Sequence, residues 1–382
     1  MTTVKTSLIV LAAGGTGGHV FPAEALAAEL KTRGAGVVLF TDRRGDAVGG
    51  VLGGIETRRI RSSGVAGKGL AARMHSTLEL GLGFFQARSL LSRLAPRAVV
   101  GFGGYPSVPT MLAASFGGYR TVVHEQNAVL GRANRLLAGR VERIASSFEH
   151  PARLPAGADG KIVHTGMPVR PSFADVRSRP YTDIGADGPV RLLVLGGSQG
   201  AQVFGEVVPE AVGRLDERLR QRLAICQQCR PENLEQAEAA YRGFGVDAEL
   251  ARFFDDVPQR LAAAHLVIAR AGASTVAEIT TVGRPSILVP YPHAIDDHQS
   301  ANARAVEENG AAWVMPQPTF TSEALAERLR DLLATPEPLR ETAERARAAG
   351  RPEAAARLAD VVFELIESND SEVGAHSGRR VA

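Results

Sequence analysis

The stretch Ala269-Arg-Ala-Gly-Ala-Ser-Thr-Val-Ala-Glu278 concentrates the chain's most informative chemistry. It separates two apolar runs, 266–269 and 287–290, each with the length and β-branched content of a buried parallel strand. Gly272 and Ser274 open the segment and helix formers follow. That order predicts a strand, a tight glycine turn and a helix N-terminus. Unpaired N–H groups and the positive end of the helix dipole meet at such a place, which suits an anion or a sugar-phosphate edge. Glu278 falls one helical turn past Ser274 on the same face, where a carboxylate could accept from two vicinal hydroxyls such as a ribose diol. Ser274 as an N-cap and Glu278 as a solvated helix residue fit the same spacing.

A second candidate is His19, which closes Gly14-Gly-Thr-Gly-Gly-His19 between a strand at 7–12 and a helix from about Pro22 to Lys31. This loop is neither a Walker A loop nor a clean G-x-G-x-x-G, so it specifies no cofactor. A histidine at the rim of a glycine turn can titrate near neutral pH and act as a general base; a loop histidine capping its own helix is the alternative. Two more glycine turns follow strands: Gly101-Phe-Gly-Gly-Tyr105-Pro-Ser107 and Gly196-Gly-Ser198-Gln-Gly200. His124-Glu125-Gln-Asn127 ends another strand. Polar clusters at strand C-termini are where open α/β sheets bind ligands. Cys226 and Cys229 form a C-x-x-C without the second pair that a zinc site needs. A redox pair would want a helix just behind the first cysteine, and Pro231 could start one. Asp296 and Asp297 lack a third ligand at recognisable spacing and read as a solvated loop.

The elements that must position these residues alternate along the chain. Strands are expected near 37–41, 55–61, 97–101, 121–124, 141–146 and 162–164, with a helix over 70–94. A proline- and glycine-rich stretch, 166–189, marks a domain boundary. The second half restarts with a strand at 191–195, a glycine turn and a helix over about 201–214. Strands near 224–226, 248–253, 266–269, 287–290 and 312–315 follow. The fold class is therefore α/β, with two Rossmann-like doubly wound parallel-sheet domains facing a cleft that suits a nucleotide-linked substrate. The expected division is 1–166, 167–350, a C-terminal helix over 351–367 packing back on the first domain, and a disordered tail over 368–382.

Composition narrows the classes. A chain of 382 residues with 45% hydrophobic and 22% charged residues is a two-domain globular protein. A net charge of +3 is too mild to argue for nucleic acid. No apolar run approaches the ~20 residues of a membrane span. Residues 1–13 read as a first strand rather than a signal peptide, and two cysteines fit a reducing cytoplasm.

Seven motifs in order now resemble one family over nearly the whole chain, from about 8 to 365. They are Gly14-Gly-Thr-Gly-Gly-His-Val-Phe-Pro22, Gly101-Phe-Gly-Gly-Tyr105, His124-Glu-Gln-Asn127, Gly166-Met-Pro-Val-Arg170, Gly196-Gly-Ser-Gln-Gly-Ala201, Arg270-Ala-Gly-Ala-Ser-Thr-Val-Ala-Glu278 and His298-Gln299. The family is the bacterial N-acetylglucosaminyltransferases of peptidoglycan synthesis, which convert lipid I to lipid II. The resemblance implies a GT-B fold and an inverting transfer from UDP-N-acetylglucosamine to the 4-hydroxyl of the muramoyl sugar, with no metal and no cofactor. It places Thr16, Gly17, Gly18, Asn127, Arg170, Ser198, Phe254, Gly272, Ala273, Ser274, Thr275, Val276, Ala277, Glu278 and Gln299 at the donor. Glu278 would take the ribose hydroxyls, Ser198 and its turn the diphosphate, and the Phe254 backbone the uracil. Phe254 stands where the family usually has a smaller aliphatic residue, and the C-x-x-C departs from its pattern. His19 and Glu125 are the candidates for catalysis near the acceptor hydroxyl, and Tyr105 belongs to the acceptor side.

A lipid acceptor and no membrane span imply peripheral docking on the cytoplasmic face of the inner membrane, alongside proteins of a division or elongation complex. The candidate surface is 73–97. Leu78, Leu80, Leu82, Phe84 and Phe85 lie there with only Glu79 charged among them, flanked by arginines and a lysine. Some of these leucines must also pack on the first sheet. Two rival classes are an NAD-dependent oxidoreductase or epimerase and a nucleotide-sugar binding protein without turnover. Asp42 partly fits the acid of an NAD site, but Gly14–Gly18 fails its glycine pattern.

Overall fold

The computed structural model describes residues 7–14, 17–42, 50–63, 70–185, 188–197 and 200–378. Two compact units divide the chain: 1–170 with 353–382, and 171–352. In unit 1 the strands are β1 (Leu8–Ala12), β2 (Gly36–Thr41), β3 (Glu56–Arg59), β4 (Ala98–Gly101), β5 (Arg120–Glu125), β6 (Arg143–Ser146) and β7 (Ile162–His164). They form one sheet in the order β3-β2-β1-β4-β5-β6-β7, and every pairing is parallel. The run Leu-Ile-Val-Leu-Ala of β1 is apolar throughout because both faces are covered. Ile9 and Leu11 pack with Leu26 and Leu30 of the helix Gly17–Thr32 and with Leu358 and Val362 of the helix Ala354–Gly378. Val10 and Ala12 face the other way, toward Leu91, Met111 and Leu137.

The C-terminal helix belongs to unit 1. Arg33 beside it donates to Asp360 Oδ1 (2.5 Å) and to the Ala356 carbonyl (3.1 Å). It continues to Gly378, beyond the helix end expected at 367. No proline follows Pro352, and a helix nucleated by a buried face extends with one hydrogen bond per added residue. Residues 167–170 also lie with unit 1 rather than with the second half. Met167 and Val169 are buried, and the Arg170 guanidinium lies 4.9 Å from the centre of the Phe21 ring.

In unit 2 the strands are β8 (Val190–Leu195), β9 (Leu223–Gln228), β10 (Asp247–Ala251), β11 (Leu266–Ala269), β12 (Ser286–Leu288) and β13 (Trp313–Val314). Their order is β10-β9-β8-β11-β12-β13, again all parallel. Phe204 and Val208 of the helix Gln202–Gly213 and Leu325 and Leu329 of the helix Ser322–Ala334 share one core with Leu192, Val194 and Ile268. Among the described residues no helix is long and apolar enough to cross a membrane.

Candidate active site

In an open parallel sheet the strand order reverses at one place, and ligands bind there beyond the strand C-termini. In unit 1 that place lies between β1 and β4, whose last residues Ala12 and Gly101 are register partners. A glycine turn leaves β4, and a glycine-rich stretch of sequence follows β1. Gly103 and Gly104 take φ of 78° and 69°, and the helix Gly104–Phe116 starts without a side-chain cap. His19 lies against this turn: a Cβ on Gly104 would sit 3.3 Å from its Nε2. The sequence places His19 in a loop before a helix at Pro22. Instead the helix begins at Gly17, with His19 in its first turn. Val20 packs on the core beneath the sheet, and His19 Nδ1 lies 2.8 Å from the Phe102 carbonyl; together they draw 17–21 into helical geometry. A carbonyl can only accept, so Nδ1 donates, and in the neutral ring Nε2 then carries the lone pair.

Glu125 has a different environment. It ends β5 at 2% exposure. Oε1 accepts from Asn127 N (3.0 Å) and Asn127 Nδ2 (3.3 Å), and Oε2 accepts from Gly131 N and Asn134 Nδ2, both at 2.8 Å. Four donors from one loop and the helix after it make this carboxylate a brace. Next to it, buried His124 binds the Gly166 carbonyl through Nε2 (3.1 Å) and meets Gln126 Nε2 at Nδ1 (3.3 Å). Burial holds its pKa down at about 4, with His19 adding to the depression, so it is neutral at physiological pH. Gln126 and His19 share the Phe102 carbonyl, which ties the two strand ends to the histidine. Tyr105, in the first turn of the helix Gly104–Phe116, and Asn127 are half-buried. Thr16 lies outside the described residues.

The outer face of unit 1 carries the helix Leu70–Leu94. Met74, Leu78, Leu82 and Phe85, spaced by helical turns, stay 68%, 60%, 41% and 68% exposed and line one groove with Thr77 and Gly81. Phe84 turns the other way and packs on the core, with the Phe116 ring 6.1 Å from its own. The two phenylalanines are therefore not equivalent: helical geometry puts neighbours about 100° apart.

Unit 2 repeats the arrangement. β8 and β11 flank the reversal, with Leu195 and Ala269 in register. After β8, Gly197 and Gly200 take φ of 79° and 68°, and Gly200 N donates to the Gly197 carbonyl (3.0 Å). A Cβ on Gly200 would come 2.6 Å from Arg230 Cγ, and its φ of 68° also favours glycine. Ser198 lies outside the described residues. After β11, Gly272 precedes the helix Ala273–Val282 with no side-chain cap and no acidic residue in the first turn. Ser274, Thr275 and Ala277 are partly exposed along this turn, Val276 is buried, and the Ser274 hydroxyl is buried without a hydrogen-bond partner. Glu278 is half-buried one turn on. Asn302 Nδ2 holds the Ala271 carbonyl (3.1 Å), and Gln299 Oε1 accepts from Tyr291 N (2.9 Å).

Phe254 is half-buried, its ring centre 4.1 Å from the Arg260 guanidinium. Glu249 (2.5 and 2.8 Å) and Asp256 (2.6 Å) hold that arginine in place. The bulky ring thus finds a cationic shelf. The redox reading of the cysteines does not survive. Cys226 and Cys229 lie three residues apart along extended chain, roughly 10 Å, beyond the ~7 Å Cα limit of a disulfide. Burial raises both thiols. No group of three His, Cys, Asp or Glu side chains gathers to hold a metal among the described residues.

Asn134 and Gln228 escaped the sequence reading. Asn134 lies within a helix pattern and looks like surface. Gln228 is a polar residue closing an apolar strand, a signal that marks a strand end without saying what it serves.

Two family models cover most of the chain: the glycosyltransferase family 28 N-terminal domain over residues 9–146 and its C-terminal domain over 191–358. The UDP-N-acetylglucosamine--N-acetylmuramyl-(pentapeptide) pyrophosphoryl-undecaprenol N-acetylglucosamine transferase of Paramagnetospirillum magneticum is 60% identical over 366 residues, covering 96% of this chain and 98% of its own. The transferase of the same name from Rhodospirillum centenum is 58% identical over 355 residues, 93% of either chain. The crystal structure of Acinetobacter baumannii MurG superposes with a TM-score of 0.76 at 30% identity, covering 94% of this chain and 99% of that one.

Proposed function

The chain belongs to glycosyltransferase family 28, among its N-acetylmuramyl-(pentapeptide) pyrophosphoryl-undecaprenol N-acetylglucosamine transferases, and on that premise we propose the reaction it performs. It transfers N-acetylglucosamine from UDP-N-acetylglucosamine to the 4-hydroxyl of the muramoyl sugar of lipid I, with inversion and without a metal, to give lipid II for peptidoglycan synthesis. The observation that carries this reading is the reversal point of unit 2. There a glycine turn, an uncapped helix N-terminus and an orphaned buried hydroxyl stand together. A leaving UDP builds negative charge on its diphosphate, and backbone amides with a helix dipole stabilise such charge without a metal.

Unit 2 is the donor domain in this account. The turn from Gly196, including Ser198, takes the diphosphate with Gly272 to Ala277, Glu278 takes the ribose diol, the Phe254 backbone takes the uracil, and Gln299 lines the same donor site. By the family resemblance Thr16, Gly17, Gly18, Asn127 and Arg170 belong to the donor set as well. His19 is the base: Nε2 removes the proton as the acceptor oxygen attacks the anomeric carbon and UDP departs, and single displacement then inverts that centre. Glu125 keeps the Asn127–Asn134 loop in place, and Tyr105 lies on the acceptor side.

The exposed stripe of Met74, Leu78, Leu82 and Phe85 docks on an anionic leaflet at the cytoplasmic face of the inner membrane. Arg58, Arg59, Arg61, Arg88 and Arg93 flank the segment in the sequence and supply basic charge. Proteins of a division or elongation complex are the partners this position implies. UDP release tests the reaction. Release from UDP-N-acetylglucosamine that requires a lipid I analogue is expected; acceptor-independent release, or none, contradicts it.

A further inference from the structure

Gln228 closes β9, the strand between β8 and β10. In the ladders Val194 pairs with Gln227 and Ala251 with Gln228. The side chain of Gln228, only 7% exposed, reaches both neighbouring strand ends. Its Oε1 accepts from Gly196 N (3.1 Å), and its Nε2 donates to the carbonyls of Gly197 (3.0 Å) and Arg252 (3.1 Å). One N–H and two carbonyls fix which end of the carboxamide is which. Gln227, one residue earlier, faces the opposite side and bonds Phe204 and Tyr241 in the core.

We propose that Gln228 is a positioning residue for the donor diphosphate, acting by fixing the glycine turn that follows β8. This rests on unit 2 being the donor domain. The Gly197 carbonyl takes two donors, Gln228 Nε2 and Gly200 N. A carbonyl held by two donors cannot swing toward a phosphate, where its partial negative charge would repel the ligand. The bond to Arg252 anchors the amide to β10's end, so the turn is braced against a rigid strand rather than against itself. Arg230, two residues on, lays its stem on Gly200 and closes the same turn from behind. Removing the carboxamide leaves the Gly197 carbonyl with Gly200 N alone and the Gly196 amide without its acceptor, which loosens the turn against the diphosphate, while the ribose contacts at Glu278 stay as they are.

The test compares Gln228→Leu, which deletes all three bonds, with Gln228→Glu, which keeps an acceptor for Gly196 N but sets an oxygen against two carbonyls. Inhibition constants of UDP and uridine against the donor are measured on the full chain, with thermal midpoints and the KM of the acceptor. The expected result is UDP weakened about tenfold in both variants, uridine changed less than about twofold, and acceptor KM unchanged. Equal weakening of UDP and uridine, or unchanged UDP, overturns the proposal. If Gln228→Leu does not fold, the Glu variant decides by the same ratio. Glu278→Ala is run beside them and should weaken both ligands alike. If it leaves both unchanged, the donor assignment of unit 2 fails, whatever Gln228 does; if it weakens both and the Gln228 variants keep the wild-type ratio, only this inference fails.

Discussion

His19 and Glu125 come from different motifs and differ in environment: Glu125 is buried among four donors, and His19 lies against the Gly103–Gly104 turn. If His19 is the base, its Nε2 at the Gly103–Gly104 turn takes the acceptor proton. His19→Ala should keep donor affinity and lose about 100- to 10,000-fold in kcat; single-turnover kinetics beside calorimetry with UDP separate the two. Glu125→Gln replaces an acceptor that meets Gly131 and Asn134 or Asn127, so it should lower the thermal midpoint and leave the pH profile of kcat/KM in place. Loss of the acidic limb of that profile would instead return the base to Glu125. His124 makes a pH prediction. Its folded pKa of about 4 lies below the unfolded value of about 6.5, so its contribution is complete above pH 6.5 and is lost as pH falls toward 4. Up to about 3 kcal/mol is at stake. Thermal midpoints from pH 7 to 4.5 should fall less steeply in His124→Asn, and a parallel slope would contradict this. Residue types at the site were legible because glycine turns, a histidine and an acid one turn past a serine each imply chemistry. Which acid was brace and which partner it held were not, because Asn134 reaches Glu125 only once the chain has folded.

At the scale of elements, the helix Leu70–Leu94 has a core side and a bare side. Phe85→Ser should cut sedimentation with anionic vesicles and leave the thermal midpoint nearly unchanged. Phe84→Ser should cost about 2 kcal/mol of stability instead, and activity on a water-soluble acceptor should survive in the Phe85 variant. If Phe85→Ser binds vesicles as before, docking lies elsewhere. The sequence pattern marked this helix but not its two sides, since Phe84 and Phe85 look alike until the packing against Phe116 fixes the rotation. The strands were legible from runs such as 266–269, whose apolar residues face helices on both sides. Helix starts were not. The helix Gly17–Thr32 begins five residues before Pro22, against local propensity, because its first turn is held by contacts with Phe102 and the core. The end at Gly378 was missed for the opposite reason: polar composition suggested a tail, and a helix anchored upstream ran through it.

For the molecule as a whole, two parallel sheets each reverse once, and each reversal carries two glycine-rich strand ends. The sequence showed the alternation of strand and helix but could not order the strands, so the meeting of those turns became visible only in the register of Ala12 with Gly101 and Leu195 with Ala269. If unit 2 is the donor domain, UDP should stabilise the folded chain by about 2.7 kcal/mol at a hundred times its dissociation constant. Glu278→Ala should need far more UDP for the same shift in thermal midpoint. An unchanged dose response would remove Glu278 from the ribose. The most direct measurement of the central claim follows the sugar itself. Purified protein, treated with a chelator, is given UDP-N-acetylglucosamine labelled in the sugar and a lipid I analogue, and the product is characterised by mass and by the coupling constant of its new anomeric proton. The account predicts labelled disaccharide, β-linked to the muramoyl 4-oxygen, formed at the same rate with and without the chelator; an α linkage, loss of transfer on chelation, or no labelled product would contradict it.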